Sequence, residues 1–326
     1  MSGQGKTTMV IRNHNSGFAS NLNKVVNNLR WRLGRCDITA AIVEWRAEPG
    51  MPQFSYGRQE DGNIWLHFFE PLPFSTFPEK RIEFRDYAVR VMTGPEAYAM
   101  LKLDRHWRQR YHTVYERYLR IRPWILRKVE AIYVAQMAGN HCIGVHYRHP
   151  AHDRELLHPI PPPEVFAAWA KRVLPADRPA KVVLATDFQP AVDVFRGHFG
   201  DRLVLQPGVQ RSPGPDQEQL HHNNSAPSVE LGEQILIDCL MLARCDALIH
   251  ITSNVATAVG YINPTMKMIY CETPRQAGIG YLWSIALVKT GLRPPLKRAM
   301  YVVRILLGRG VGVLRRTARR LAGGSS

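Results

Sequence analysis

ILIDCLMLARCDALIHITSN, residues 235–254, is the stretch whose reading decides the fold. It lies within a helical pattern over 230–244, passes through the short apolar string ALIHI at 247–251, and opens a second helix at TSNVATAVGY. Moving outward, KVVLATD at 181–187 reads as a strand, 189–198 as a helix and 202–205 as a strand. Further upstream, a strand at 143–147 is followed by a Pro-rich loop at 159–163 and a helix over 163–173; downstream lies a strand at 267–270. Strands alternating with helices at this spacing predict a doubly wound α/β domain on a parallel sheet.

The first third of the chain carries one more such unit: a strand at 9–11, a turn on Asn15-Ser16-Gly17, a helix over 19–33 and the strand ITAAIVEW. Residues 47–100, rich in Pro, Gly and aromatics, yield no element. A helical zone over 95–136 carries Arg105, Arg108, Arg110, Arg117, Arg120, Arg122, Arg127 and Lys128, and Pro123 divides it into two helices. Such arginines read as a solvated face or as a surface for an anionic acceptor. There is no internal repeat. The polar segment 207–227 reads as a mobile loop; its His221-His222 pair lacks a third ligand at metal-binding spacing.

Composition sets bounds. The 326 residues suffice for two domains, and 45% hydrophobic with 21% charged residues is ordinary globular composition. The five cysteines, Cys36, Cys142, Cys239, Cys245 and Cys271, are scattered, with no C-x-x-C pair, which fits a reducing compartment. No apolar stretch has the length of a signal-peptide core at the N-terminus or of a membrane span elsewhere, so the expectation is a cytoplasmic protein. The string Gly3-Gln4-Gly5-Lys6-Thr7 is not a P-loop, because no strand precedes it.

The net charge of +16 is unevenly spread: ten Lys and Arg and no acid lie from Lys289 onward, leaving +6 for the other 288 residues. This distribution argues for a body of mild charge with a basic helical tail, and against a uniformly basic nucleic-acid binder. The tail reads either as an appendage for an anionic membrane surface, where each basic residue contributes about 1 kcal/mol, or as a terminal helix packed on the body. Glycines at 308, 310 and 312 interrupt it. A nucleic-acid function is further disfavoured, since a basic strand with interleaved aromatics is missing.

Chemistry-bearing residues gather where strands end. IGVHYRH, residues 143–149, places Arg148 after one strand, Asp187 follows LAT, Asp238 lies on the helix before ALIHI, and Ser253-Asn254 stand where a strand turns into a helix. Open α/β sheets bind ligands at such ends. A guanidinium fork fits two phosphate oxygens, and a helix start with Ser and Asn side chains supplies N–H donors from the other side. Asp187 and Asp238 then suit a base or a ribose. Simpler readings stand beside these: a surface ion pair for Arg148, a helix cap for Asp187, a surface acid for Asp246, and turn formers for Asn13, His14 and Asn15, which could equally face the sugar.

IGVHYRH, ELLHPI, LATD and ILIDCLMLARCDALIHITSN together resemble, in order and spacing, the signature blocks of the α-1,6-fucosyltransferase family over residues 125–272, and SGFASNLNKVVNNL resembles the glycine-turn helix that opens the family's N-terminal domain. The resemblance implies a GT-B-like fold of two Rossmann-like domains facing a cleft, with an acceptor-side domain at 1–136, a nucleotide-sugar domain at 137–286 and the basic tail at 287–326. It implies GDP-fucose as donor, no metal, inversion at the anomeric carbon, and a glycan or lipid-linked glycan acceptor. Carried over by motif, His146 and Asp238 recognise guanine, Arg148 grips the β-phosphate, and Ser253 or Asn254 contacts the same group. Gly17 and Phe18 belong to the donor set through the N-terminal block. Glu155, ahead of His158-Pro159-Ile160, is the implied base, with Asp153 its rival. Two positions depart from the eukaryotic pattern: His149 stands where a second arginine is usual, which leaves donor choice open between GDP-fucose and another nucleotide sugar, and Phe188 stands where a second acid often follows Asp187, offering a ring that could stack. An inactive homologue or a membrane-surface protein are the alternative functions.

Overall fold

The computed structural model describes residues 6–14, 16–35, 37–47, 56–86, 103–150, 160–214 and 228–271. Two parallel sheets organise them. The first has three strands, β1 (Thr7–Arg12), β2 (Ile38–Glu44) and β3 (Lys80–Phe84), in the order β2-β1-β3. Helix α1 (Phe18–Arg32) joins β1 to β2, completing the expected βαβ unit, and Arg30 and Arg32 in its last turn complement the helix dipole. Strand β3 has no counterpart among the sequence expectations. Lys80, Arg81, Ile82 and Glu83 are all exposed, so the apolar-polar alternation that marks a half-buried strand is absent, and charge on the strand suits an unpaired edge.

The helical zone divides as Pro123 requires. Helix α2 (Arg105–Tyr118) is capped by the Asp104 carboxylate, which accepts from the N–H groups of His106 and Trp107, and α3 (Pro123–Ile132) begins at the proline itself. A π-helical turn, Tyr133–Met137, leads into the second sheet. There β4 (His141–His146), β5 (Ala180–Ala185), β6 (Leu203–Val204), β7 (Ala247–His250) and β8 (Lys267–Tyr270) run parallel in the order β6-β5-β4-β7-β8. Helices α4 (Pro163–Val173), α5 (Gln189–Phe199), α6 (Val229–Ala243) and α7 (Asn254–Ile262) alternate with them, within a residue or two of the sequence expectation.

Alternate residues of these strands feed two cores. Ile143, Val145, Val182, Leu184 and Ile249 face α4 and α5 through Phe166, Val192 and Phe195. Cys142, Val183, Ala185 and Leu248 face the other way, into a core shared with α6, α7, α1 and the first sheet. Helix α1 is thereby enclosed, and every residue from Phe18 to Leu29 is buried, including Ser20, Asn21, Asn23, Lys24, Asn27 and Asn28. The enclosure is tight at Gly232 of α6, where an added Cβ would lie 2.7 Å from Cζ of buried Phe68 and 3.1 Å from Cδ2 of Phe18. Gly232→Ala should therefore lower the Tm in thermal unfolding. Overpacking costs about 1–3 kcal/mol and exceeds the ~1 kcal/mol that alanine gains over glycine within a helix; an unchanged Tm would mean the aromatic cluster yields freely.

Cys142, Cys239, Cys245 and Cys271 are buried free thiols. Among the described residues no helix is long and apolar enough to cross a membrane. The basic tail, His221-His222 and Cys36 lie outside the described residues.

Candidate functional site

In the order β6-β5-β4-β7-β8 the chain leaves β4 toward β5 on one side and resumes at β7 on the other, which puts the topological switch point, where open α/β sheets bind ligands, at the carboxyl ends of β4 and β7. The residues there follow the alternation of an extended chain. Tyr147 continues the pairing, its N–H donating to Ala185 O at 3.1 Å, and its ring joins the α4–α5 core. His149 points the same way: it is 0% exposed, its ring edge meets Phe188 with centroids 4.9 Å apart, and Nε2 is 3.3 Å from Ser212 Oγ. His146 and Arg148 alternate with these two, and Arg148 is partly exposed at the end of the strand.

His146 meets the β7–α7 turn, a contact the sequence did not suggest, since the resemblance sets His146 beside Asp238. Ser253 caps α7, its Oγ accepting from the Ala256 N–H at 3.0 Å, and the same oxygen lies 3.1 Å from His146 Nδ1. Asn254, the first residue of α7, is exposed. The helix start, the Ser253 hydroxyl and the His146 ring thus form one connected group at the end of β7.

A second group surrounds Asp238 on α6. This carboxyl is pushed up to about 7, chiefly by burial, with the Arg211 charge opposing and the Asp187 charge adding to the rise. Gln206, in the amide orientation that satisfies both its atoms, donates to Asp238 Oδ1 at 2.7 Å and to Gln234 O at 2.9 Å. Arg211 is itself lowered by burial and bonds Val209 O at 3.3 Å. Asp187 does not cap the next helix: the N-cap of α5 is Phe188, with no side-chain cap. Its carbonyl instead accepts from the Ser212 N–H at 2.7 Å, and Gln189 N–H donates to Ser212 O at 2.8 Å, which ties the 207–214 segment to the sheet. The expectation of a loose loop is corrected over those residues.

Phe188 as a stacking platform is also corrected, because its ring is 5% exposed and packed between Tyr147 and His149. Asp246 is structural, accepting from the Cys142 N–H at 2.8 Å and lying 3.2 Å from His141 Nδ1. Gly17 starts α1, and an added Cβ there would meet Tyr56 Oη at an ordinary 3.6 Å. The Phe18 ring is buried edge-on to Trp45, Tyr56 and Phe68, while its N–H donates to Tyr56 Oη at 2.8 Å; burial raises that phenol, and the Asp187 charge adds to the rise. Asn13 pairs with the backbone of Arg46 at 2.9 and 3.0 Å, which ties the chain after β1 to the chain after β2 and is neither a local turn contact nor a free side chain. Asp153, Glu155, His158 and Pro159 lie outside the described residues. Among the described residues no group of three or more His, Cys, Asp or Glu is placed to hold a metal ion. Gln206, Arg211, Ser212 and Asn23 were not singled out from the sequence.

With these positions fixed, the molecule can be set beside known proteins. The crystal structure of NodZ α-1,6-fucosyltransferase soaked with GDP-fucose superimposes with a TM-score of 0.50 at 20% identity, covering 79% of this chain and 93% of that one. The chain has the fold of an α-1,6-fucosyltransferase. Fucosyltransferase NodZ from Bradyrhizobium gives a TM-score of 0.49 at 21% identity over 78% and 92% of the two chains. In sequence, the chain is 28% identical over 137 residues to Nodulation protein Z of Sinorhizobium fredii (strain NBRC 101917 / NGR234). That match spans 39% of this chain and 41% of the relative, so the chain aligns with about two fifths of that protein's length. No protein-family model matches. The resemblance carried by the sequence blocks and the expected GT-B-like architecture of parallel sheets agree with these findings.

Proposed function

We propose that this chain transfers fucose from GDP-fucose to a hydroxyl of a glycan or lipid-linked glycan, with inversion and without a resident metal. The observation that carries the reading is the position of Arg148 and the Ser253-Asn254 helix start at the two strand ends flanking the switch point of the second sheet. A diphosphate bound there meets a guanidinium fork from one side and helix N–H groups from the other. Asp238, with one oxygen already held by Gln206, accepts from the N–H edge of guanine, and His146 completes the base site. Gly17 and the α1 start close the site from the first sheet, and His149 supports it from beneath.

In the reaction an acceptor oxygen attacks the anomeric carbon from the face opposite the nucleotide. The bond from that carbon to the β-phosphate oxygen breaks and its electron pair stays on GDP. The hydroxyl proton passes to a carboxylate, Glu155 or, failing that, Asp153. Arg148 binds the departing phosphate more strongly as its charge grows, which lowers the barrier rather than the ground state. The division into an acceptor side at 1–136, a donor domain at 137–286 and a tail at 287–326 that touches an anionic membrane surface from the cytoplasmic side belongs to the same proposal.

Calorimetric titration with GDP, GDP-fucose, GDP-mannose and UDP-glucose, without and then with magnesium, tests the donor. Metal-independent binding of GDP and GDP-fucose is expected, and absence of binding by any guanine nucleotide would overturn the reading. Glu155→Gln should keep donor affinity within about twofold while lowering the transfer rate by roughly 10²–10⁴, the usual share of a general base. Retained activity in Glu155→Gln together with loss in Asp153→Asn would move the base to Asp153.

A further inference from the structure

Helix α1 belongs to the first sheet, yet one of its side chains takes hold of the helix that begins the site on the second. The Asn23 amide is 1% exposed. Its Nδ2 donates to the main-chain carbonyl of Asn254 at 2.9 Å and lies 3.4 Å from Asn254 Oδ1, so both contacts fall on the first residue of α7. One turn further along, Asn27 Nδ2 lies 3.4 Å from Tyr261 Oη, still on α7. Turning the Asn254 oxygen toward α1 directs its NH₂ away from α1. The other atom of the Asn23 amide, Oδ1, is buried with no hydrogen-bond donor among the described residues. Such an acceptor costs stability, so folding alone would be served as well by an apolar side chain of this size. The polar group is explained by what it does to Asn254.

We propose that Asn23 is a positioning residue for the diphosphate end of the donor site, holding the first residue of α7 where the helix start meets the phosphates. This rests on the donor reading above and adds a residue from the opposite half of the chain. The consequence is specific: loss of the Asn23 amide should weaken the grip on phosphate and leave the grip on the base.

The test compares GDP with guanosine, both titrated calorimetrically into the full chain, for wild type, Asn23→Leu and Asn23→Ala. Asn23→Leu should weaken GDP binding about tenfold, leave guanosine affinity within twofold, and keep the Tm at or above the wild-type value, because the unsatisfied acceptor is gone; tenfold corresponds to about 1.4 kcal/mol. Asn23→Ala, which cannot clash, should show the same split between GDP and guanosine. Wild-type affinity for GDP in both variants, or equal loss of GDP and guanosine, would overturn the assignment. Failure of the wild type to bind GDP would instead strike the donor reading itself.

Discussion

Arg148→Ala should lower the rate of transfer about 10³-fold and leave the protein folded. The side chain stands two residues beyond the end of β4 and is partly exposed. Surface substitutions of this kind change stability by about 0.5 kcal/mol or less. Under the proposed donor site the functional loss is far larger, because there the guanidinium faces charge that grows as GDP departs. One positioned donor to such a charge contributes about 3–4 kcal/mol, or 10²–10³ in kcat, and a charged two-pronged fork lies at the upper end of that range. Arg148→Lys should recover only part of the rate, since an ammonium keeps the charge but cannot span two oxygens. Single-turnover release of GDP, with the Tm read in parallel, separates the two effects. A folded Arg148→Ala that turns over near the wild-type rate would show that the phosphate lies elsewhere.

The place of Arg148 just beyond a strand was legible in the sequence because the elements around it are of the readable kind. β4, β5 and β7 are buried on both faces, and strands of that type appear as short apolar runs between turn signals. Strand β3 has the opposite character, an exposed edge of Lys, Arg and Glu whose only mark is its hydrogen bonding to β1. The site was legible to the same limit. Ser253 and His146 could each be placed at the end of a readable strand, though not against one another, whereas Gln206 follows a two-residue strand and reaches Asp238 only through tertiary folding. His149 looked like a ligand-facing neighbour of Arg148, yet simple alternation along the chain turns it with Tyr147 into the core, an inference the sequence allowed. Least visible was the polar interior of α1. Asn and Lys are usually surface residues, and NLNKVVNN reads as an ordinary helix until the second sheet's helices enclose it. Lys24 is 4% exposed and lowered to about 8 by burial, its Nζ 2.9 Å from Ser16 Oγ, a cation spent on fixing the β1–α1 turn.

The carboxyl at Asp238 gives the second large effect, because stability and binding pull it in opposite directions. Its acidity lies near 7 in the folded protein against an ordinary 3.8. Below about pH 4 both states hold the proton and the group contributes nothing. As pH rises toward 7 the unfolded chain releases it while the native protein keeps it, so stability falls across that window and levels off above it. The penalty is at most on the order of 4 kcal/mol, because the Gln206 N–H bond to Oδ1 favours the ionised form. Asp238→Asn keeps the shape without the charge, so it should match wild type near pH 4 and exceed it in stability at pH 8. Under the proposed assignment of Asp238 to guanine, recognition moves the other way: two N–H groups of the base need an ionised acceptor, and an amide presents one oxygen and a repelling NH₂. Charge-assisted bonds of this kind are worth about 1.5–3 kcal/mol each, so Asp238→Asn should weaken GDP binding by at least about 10². For the wild type, binding must first drive off the proton, and GDP affinity should drop by up to about tenfold for each pH unit below about 7. A variant both more stable at pH 8 and unable to hold GDP would show that this carboxylate is kept at the expense of the fold; unchanged GDP affinity in Asp238→Asn would place the guanine away from α6.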